Sequence, residues 1–343
     1  MSTQSKLRFA IVGAGAVAGH HLRALAEIPD AEVRVIFRRD AEKARQLAEK
    51  YGTAWTTRYE DILDDPEIDV MDIALPSGLH ADFGIRAAEA GKHVLVEKPI
   101  DVTLKKADAL IAACEKNEVT LGVISQNRFT DDMLNLYKLL QAGKLGRLLE
   151  GDAYVKWYRP QSYYDSCVWR GTWALDGGGA FMNQGVHFVD LLLSVMGPVK
   201  KVRAKTRTAA HKIEVEDQGA ALIEFESGAL GVIQASTAFF PGLPARLEIH
   251  GTRGTAIFEG TELSFLHVEG EVPFQKEKVN TGGAAKPMAI PVTPFVRQFK
   301  DFISAVWENR PPRVSGKEAR RALALVLAIY ESSRTGKSVE LSA

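Results

Sequence analysis

A glycine-rich turn between a short apolar run and a helical pattern constrains this chain more than any other feature. Residues 7–12 form the apolar run, and the turn Gly13-Ala14-Gly15-Ala16-Val17-Ala18 has the spacing G-x-G-x-x-A. The first glycine permits a tight turn, the second lets a pyrophosphate approach the backbone, and the small Ala18 permits close packing of helix on strand. The flanking patterns favour a dinucleotide-binding turn over a glycine turn without a ligand, with cofactor contacts at Gly13, Gly15, Ala16 and Val17.

Apolar strand patterns continue to alternate with helical patterns after this turn. Strands are predicted at 32–37, 69–75, 93–96 and 119–124, and helices at 40–50, 80–90 and 103–116. Such alternation predicts an α/β fold with a doubly wound parallel sheet. We assign residues 1–127 to this dinucleotide-binding Rossmann domain.

The pattern changes after residue 127, and 343 residues are too many for one core. Strands then dominate, and they predict a second domain over 128–343 of α+β class with a large, predominantly antiparallel sheet. We expect a loop at 281–294 and a last helix at 316–333, for which the first domain is a candidate packing partner. The predicted strands are 148–158, 199–207, 219–225, 229–237, 245–250 and 255–259, with further helices at 133–141 and 296–307.

The residues after the second strand bear on the choice of cofactor. An acidic side chain there would bind the adenosine ribose and favour NAD, but this chain has Phe37-Arg38-Arg39. Two guanidinium groups suit a 2′-phosphate, so Arg38 and Arg39 favour NADP(H). The alternative is that both arginines are solvated or stack on adenine, with NAD(H) bound. Asp40 is predicted to cap a helix rather than to bind the ribose.

Two further segments follow predicted strands, where open α/β sheets bind their ligands. In Leu75-Pro76-Ser77-Gly78-Leu79-His80, proline and glycine break the chain, and Ser77 and His80 offer hydrogen bonds to a cofactor or substrate. A solvent-facing His80 is the alternative. The second segment, Glu97-Lys98-Pro99, places an ionisable pair directly after a strand. A surface ion pair would explain that pair alone, but the glycine turn upstream favours a role in chemistry.

The second domain has an unusual aromatic and basic stretch, followed by glycines and a polar helix face. Clustered aromatic rings with arginines suit a sugar, because rings stack on C–H surfaces and guanidinium groups bind hydroxyls or a carboxylate. An aromatic cluster under a long loop is the alternative. Asn183, His187 and Asp190 have the spacing i, i+4, i+7 and favour catalysis from one helix face. The predicted substrate contacts here are Tyr158, Arg159, Tyr163, Trp169, Arg170, Asn183 and His187.

These motifs resemble the Gfo/Idh/MocA family of oxidoreductases over nearly the whole chain. The resemblance rests on the glycine turn, on Glu97-Lys98-Pro99, and on the pattern formed by Gly185, His187 and Asp190. Several segments are more narrowly similar to bacterial UDP-N-acetylglucosaminuronate 3-dehydrogenases. They are 75–80, Gln126-Asn127-Arg128, Arg159-Pro160-Gln161, 163–165, 169–173 and Phe181-Met182-Asn183-Gln184. Arg38 departs from the acidic residue of those NAD enzymes.

The resemblance implies reversible hydride transfer between nicotinamide and a secondary alcohol of a sugar or cyclitol, of the pyranose C3 type. It implies that His187 accepts the hydroxyl proton while Lys98 orients the hydroxyl, although these two roles are interchangeable. Asn183 would bind the neighbouring hydroxyl, and Glu97 the nicotinamide ribose. Gln126 and Arg128 join the cofactor and substrate contacts through the matching segment. A dehydrogenase of a non-sugar ring alcohol, such as a dihydrodiol, and a non-catalytic NADP(H)-sensing regulator are the alternatives.

Composition excludes several other classes of function. Lys and Arg together number 43, as do Asp and Glu, so the zero net charge gives no support for nucleic-acid or membrane partners. No apolar signal region follows the first residues. Two distant cysteines and histidines without ligand spacing predict neither disulfides nor a metal site. We expect a cytoplasmic protein, and the resemblance favours a homodimer or homotetramer.

Overall fold

The computed structural model describes residues 5–15, 17–276 and 291–341. The chain divides into two compact units, the first comprising residues 1–126 and 291–320 and the second comprising residues 127–290 and 321–343. Residues 291–320 thus group with the first unit, whereas the sequence division placed them in the second domain. The boundary between independently folding domains stays a prediction. Most of the predicted loop at 281–294 lies outside the described residues.

The described residues form fifteen strands and ten α-helices. The strands are β1 (Leu7–Val12), β2 (Ala31–Phe37), β3 (Ala54–Thr56), β4 (Val70–Ile73), β5 (His93–Val96), β6 (Leu121–Val123), β7 (Leu148–Lys156), β8 (Val199–Arg207), β9 (Gln218–Phe225), β10 (Leu230–Ser236), β11 (Arg246–Gly251), β12 (Gly254–Glu259), β13 (Glu262–Val268), β14 (Phe274–Gln275) and β15 (Val339–Glu340). The helices are α1 (Ala18–Ala26), α2 (Ala41–Tyr51), α3 (Tyr59–Leu63), α4 (His80–Glu89), α5 (Leu104–Lys116), α6 (Asp131–Gln141), α7 (Gln161–Asp165), α8 (Val186–Met196), α9 (Thr293–Trp307) and α10 (Gly316–Thr335). Within the described ranges, none of these helices combines the length and the apolar character needed to cross a bilayer.

The first unit contains a six-stranded parallel sheet in the order β3-β2-β1-β4-β5-β6. This order confirms the predicted doubly wound sheet. The chain crosses over between β1 and β4, and the carboxyl ends of strands at such a crossover form the usual ligand crevice. The sequence did not predict β3, which has three residues and no apolar run.

Apolar side chains on both sides of this sheet form the core of the first unit. Phe9 of β1 is fully buried and meets Phe299 of α9 edge to face, with ring centroids 6.0 Å apart. Helix α2 has local signals at both ends, since the Asp40 side chain accepts the N–H of Lys43 at 3.1 Å and Gly52 ends the helix at φ 66°. The predicted Asp40 cap is therefore confirmed.

The second unit contains a nine-stranded sheet in the order β14-β13-β12-β11-β7-β10-β9-β8-β15. The pair β7 and β10 is parallel and the other neighbours are antiparallel, which confirms the predicted α+β class. The sequence did not predict β13, whose side chains are mostly half-buried and lack clear alternation.

The helix predicted to present Asn183, His187 and Asp190 on one face begins differently. Residues Ala180–Gly185 form a π-helical turn, and α8 starts only at Val186. A π turn bonds residue i to i+5 instead of i+4, so it changes the angle between successive side chains. The predicted α-helical face is therefore wrong for Asn183, which lies in the π turn.

Candidate active site

The glycine turn after β1 has the backbone that a bound pyrophosphate needs. Gly13 has φ +105°, and a Cβ there would lie 2.6 Å from the carbonyl oxygen of Ala74, so only glycine fits. A Cβ on Gly15 would meet nothing within 4 Å, which leaves that backbone open to a ligand. Val17 directly precedes α1, and Ala16 lies outside the described residues. This turn therefore fits a dinucleotide.

The two arginines after β2 differ in their surroundings. The Arg38 guanidinium donates to the carbonyl of Ala14 in the glycine turn, and its backbone N–H donates to Thr56 at 3.1 Å. Arg39 is exposed. Asp40 lies close to the position at which an acid that binds the ribose would be expected. Its carboxylate caps α2 instead, by accepting the N–H of Lys43. The geometry keeps Arg38 beside the expected path of the cofactor.

The segment after β4 is fixed by a buried histidine. His80 is 0% exposed, with Nδ1 2.8 Å from the carbonyl oxygen of Pro99 and Nε2 2.9 Å from that of Leu75. Both ring nitrogens thus contact backbone, and this arrangement does not support the predicted ligand contact of His80. Ser77 starts a short 3₁₀ turn after Pro76. His80 instead ties this turn to the residue that follows Lys98.

Glu97 and Lys98 lie at the carboxyl end of β5, where a buried three-residue network holds the glutamate. His21 of α1 has Nδ1 2.9 Å from the carboxylate of Asp72 and Nε2 3.0 Å from Oε1 of Glu97. The other oxygen of Glu97 accepts the backbone N–H of Lys98 at 3.0 Å. Both carboxylate oxygens of Glu97 therefore have protein partners, and its predicted contact with the nicotinamide ribose stays a prediction. Gln126, another predicted cofactor contact, is buried after β6.

Two carboxylates face the ring nitrogens of His21 in this network, and they favour its imidazolium form. Burial alone would lower its pKa, but the carboxylates of Asp72 and Glu97 outweigh burial and raise the pKa to about 10. The folded state thus keeps a proton that an unfolded histidine loses near pH 6.5. Its contribution to stability is complete below that pH and is lost as the pH rises towards 10.

We therefore expect the free energy of unfolding to fall with alkaline pH more steeply in the parent than in a His21→Gln variant, by up to about 1.4 kcal/mol per pH unit. Urea denaturation between neutral pH and the pKa near 10 measures this difference. His20→Gln is the matched control, since His20 stacks on Phe295 and its Nδ1 contacts the guanidinium of Arg23. Parallel slopes for the parent and His21→Gln would contradict the assignment.

In the second unit, Arg128 and Asp190 form a buried bidentate ion pair. Nε and Nη2 of Arg128 lie 2.7 and 2.6 Å from the two oxygens of Asp190, and each side chain is 6% exposed. Within the second unit, the pair links the segment at its start to the middle of α8. The substrate contact predicted for Arg128 stays a prediction, since this carboxylate already binds two of its nitrogens.

Asn183 is oriented by a second buried acid. Its Nδ2 donates to Oδ1 of Asp176 at 2.7 Å, while Oδ2 of Asp176 accepts the N–H of Gly171 at 2.9 Å. Asp176 is 2% exposed. His187 follows in the first turn of α8 and is half-buried. A fixed amide and an imidazole on adjacent turns can bind and deprotonate a hydroxyl.

The aromatic and basic stretch forms a ladder of alternating rings and guanidinium groups. The Cζ atom of Arg159 lies 5.2 and 5.6 Å from the ring centroids of Trp157 and Tyr163. That of Arg170 lies 4.4 and 5.5 Å from Tyr163 and Trp169. Five residues of this stretch were predicted substrate contacts, and the ladder contains four of them: Arg159, Tyr163, Trp169 and Arg170.

The remaining member, Tyr158, contacts a different residue. Its ring packs edge to face on exposed Phe240, with centroids 5.3 Å apart.

Sequence reasoning also missed His21, Asp72 and Asp176. An aspartate inside the otherwise apolar β4 was the available signal, because a buried charge needs a partner.

Both units match models of one protein family. Residues 7–125 match the oxidoreductase family with an NAD-binding Rossmann fold, Gfo/Idh/MocA. Residues 133–257 match the Gfo/Idh/MocA C-terminal domain. Among curated proteins, myo-inositol 2-dehydrogenase of Thermotoga maritima is 26% identical over 98% of both chains.

Two solved structures are similar over nearly the full length. The WlbA dehydrogenase from Chromobacterium violaceum, in complex with NADH and UDP-GlcNAcA, is 33% identical over 99% of this chain and 97% of its own, with a TM-score of 0.87. The WlbA dehydrogenase from Bordetella pertussis, with the same two ligands, is 32% identical over 98% of this chain and 99% of its own, with a TM-score of 0.86.

Proposed function

Because the chain belongs to the Gfo/Idh/MocA family of NAD(P)-dependent oxidoreductases, we propose that it oxidises a secondary alcohol of a sugar, at C3 of a pyranose. The observation that carries the proposal is Lys98, held at the end of β5 by Glu97 in a unit whose glycine turn fits a dinucleotide. This contact fixes the backbone of Lys98 at the carboxyl end of a parallel strand, where open α/β sheets bind their ligands.

The chain's own residues would bind the cofactor and remove the hydroxyl proton. Gly13, Gly15 and Val17 would hold the pyrophosphate, and a bound nicotinamide would supply the hydride acceptor for the carbinol C–H bond. The O–H proton must leave as the C–H electron pair departs, so a base has to contact that oxygen. His187 is the proposed base, Lys98 orients the hydroxyl, and Asn183, fixed by Asp176, binds the neighbouring hydroxyl.

The ladder around Tyr163 supports an anionic sugar as the substrate. Ring faces suit the C–H surface of a pyranose, and the in-plane N–H groups of a stacked guanidinium remain suited to a carboxylate or phosphate. The two similar WlbA dehydrogenases were solved with UDP-GlcNAcA, which carries both groups. We propose a nucleotide-linked hexuronate as the substrate class.

The test measures the absorbance of reduced nicotinamide with a panel of alcohols. UDP-GlcNAcA is expected to react, and UDP-GlcNAc is the matched control because it lacks only the carboxylate. Myo-inositol, free hexoses and a dihydrodiol complete the panel. Turnover of the dihydrodiol alone would overturn the sugar assignment, and cofactor binding without turnover of any alcohol would favour a regulator.

We propose NADP(H) as the preferred cofactor, because Arg38 lies against the glycine turn and Asp40 is used as a cap. An Arg38→Asp variant is then expected to lose about 10- to 100-fold in kcat/KM for NADP, the value of one hydrogen bond to a charged group, and to lose less for NAD, which has no 2′-phosphate. Arg34→Asp on the preceding strand β2 is the control, since Arg34 pairs with Glu32 at 3.1 Å. A parent enzyme that prefers NAD would contradict the proposal.

A further inference from the structure

Glu216 is a buried carboxyl that the proposed mechanism does not use. It precedes β9 and is 3% exposed. One oxygen accepts the N–H of Phe181 at 2.8 Å and the O–H of Tyr330 at 3.0 Å, and the other accepts the N–H of Gly179 at 2.9 Å. Both amides stand at the start of the π turn, where a helix leaves amides without intrahelical partners. Glu216 thus supplies a hydrogen-bond acceptor and a negative charge at the N-terminal end of this helical segment. The helix dipole favours a negative charge at that end.

The triple glycine Gly177-Gly178-Gly179 permits this contact. A Cβ on Gly179 would lie 1.7 Å from the backbone oxygen of Glu216, and one on Gly178 would lie 2.1 Å from the hydroxyl of Tyr330. The N–H of Ala180 also donates to the backbone oxygen of Glu216 at 3.1 Å. The chain therefore approaches Glu216 more closely than any residue with a side chain would allow.

We propose that Glu216 is a positioning residue, whose carboxylate fixes the start of the helical segment that carries Asn183 and His187. The inference rests on the proposed function, in which these two side chains contact the substrate. Asp176 holds the Asn183 side chain directly at 2.7 Å. Glu216 holds the backbone before it, so it governs where both Asn183 and His187 are presented.

This anchor depends on the charge of Glu216. Burial raises the pKa of Glu216 to about 7, and the two amides and the Tyr330 hydroxyl oppose the rise. Over the described residues, Tyr330 of α10 is the titratable side chain hydrogen-bonded to it. The adjacent Asp217 directs its carboxylate to the amides of Ala209 and Ala210 and to His211 instead. A protonated carboxyl accepts fewer hydrogen bonds, so the anchor weakens as Glu216 gains its proton.

The first test follows the anchor in the full chain without substrate. Selective ¹⁵N labelling of glycine and phenylalanine reports the amide shifts of Gly179 and Phe181 against pH. Both are expected to titrate with one midpoint near 7, and Tyr330→Phe is expected to raise that midpoint by about half a pH unit or more, since it removes a donor to the carboxylate. Amide shifts that stay flat, or a midpoint that Tyr330→Phe leaves unchanged, would overturn the proposal whatever the turnover.

The second test separates positioning from folding. Glu216→Gln is expected to lower kcat by about 10- to 100-fold, the cost of displacing reacting groups, while cofactor affinity stays near that of the parent and the chain still melts in one cooperative transition. Glu214→Gln is the matched control, two residues away, where an exposed carboxylate accepts the N–H of Trp173 at 3.1 Å. Tyr330→Phe keeps the carboxylate. It is expected to shift the acidic limb of the pH profile of kcat to higher pH, a change that a purely structural role would not produce.

The outcomes of this second test are distinguishable. A folded Glu216→Gln enzyme with parental kcat overturns the positioning role. If Glu216→Gln does not fold, an acidic limb unmoved in Tyr330→Phe overturns it instead. A parent without turnover on any alcohol counts against the proposed function, and the amide titration of Gly179 then still decides whether Glu216 anchors the segment.

Discussion

A Lys98→Met variant is expected to lose about 10²- to 10⁴-fold in kcat, because the substrate hydroxyl loses the ammonium group that orients it for proton transfer, while its affinity for the cofactor stays within about twofold. Methionine keeps an unbranched apolar side chain, one atom shorter, and removes the ammonium group. The backbone of residue 98 stays held by Glu97, whose oxygen accepts its N–H at 3.0 Å. Cofactor affinity depends on the glycine turn after β1 and is therefore expected to survive.

The measurement combines steady-state turnover with NADH binding by fluorescence. Lys105→Met is the control, because Lys105 is an exposed lysine of α5 in the same unit. If Lys98→Met keeps turnover within a few-fold of the parent, Lys98 has no part in the reaction. If turnover and NADH affinity fall together, the side chain serves cofactor binding instead.

An Arg128→Met variant is expected to lose about 3–5 kcal/mol of stability, because it leaves the carboxylate of Asp190 buried without its charged partner. The two side chains are each 6% exposed, and both oxygens of Asp190 bind the guanidinium. A buried carboxylate that loses its charged partner is among the most costly defects that a single substitution creates. The urea midpoint of the parent and the variant measures the loss.

Two further variants separate the charge from packing. The double variant Arg128→Met/Asp190→Leu removes both charges and is expected to recover much of the loss, as apolar replacements of buried pairs do. Arg203→Met on an exposed position of β8 is expected to leave the midpoint unchanged. A single variant as stable as the Arg203 control would show that the pair contributes no stability.

Local sequence signals predicted those parts of the molecule that short stretches of chain determine. Gly13 and the apolar run before it required the turn, and Asp40 marked the start of α2. Strand and helix alternation gave the class of the first sheet. These features depend on contacts within a few residues, which periodicity and turn chemistry record.

The rest depends on contacts between residues far apart in the chain. Periodicity does not relate His21 to Asp72 and Glu97, which lie 51 and 76 residues away. Periodicity likewise does not show that α9 packs with the first unit, or that Gly179 contacts Glu216, because these contacts also join residues far apart in the sequence. The π turn before α8 was unpredictable for another reason, since its residues also suit an α-helix and tertiary contacts decide between the two.

The proposed reaction removes a hydride from C3 of a nucleotide-linked sugar acid. The most direct measurement is a single turnover with UDP-GlcNAcA deuterated at C3, followed by mass analysis of the reduced cofactor. We predict that the nicotinamide gains the deuterium and that the sugar becomes a 3-keto product. Reduced cofactor without deuterium, or deuterium retained in the sugar at full conversion, would contradict the account.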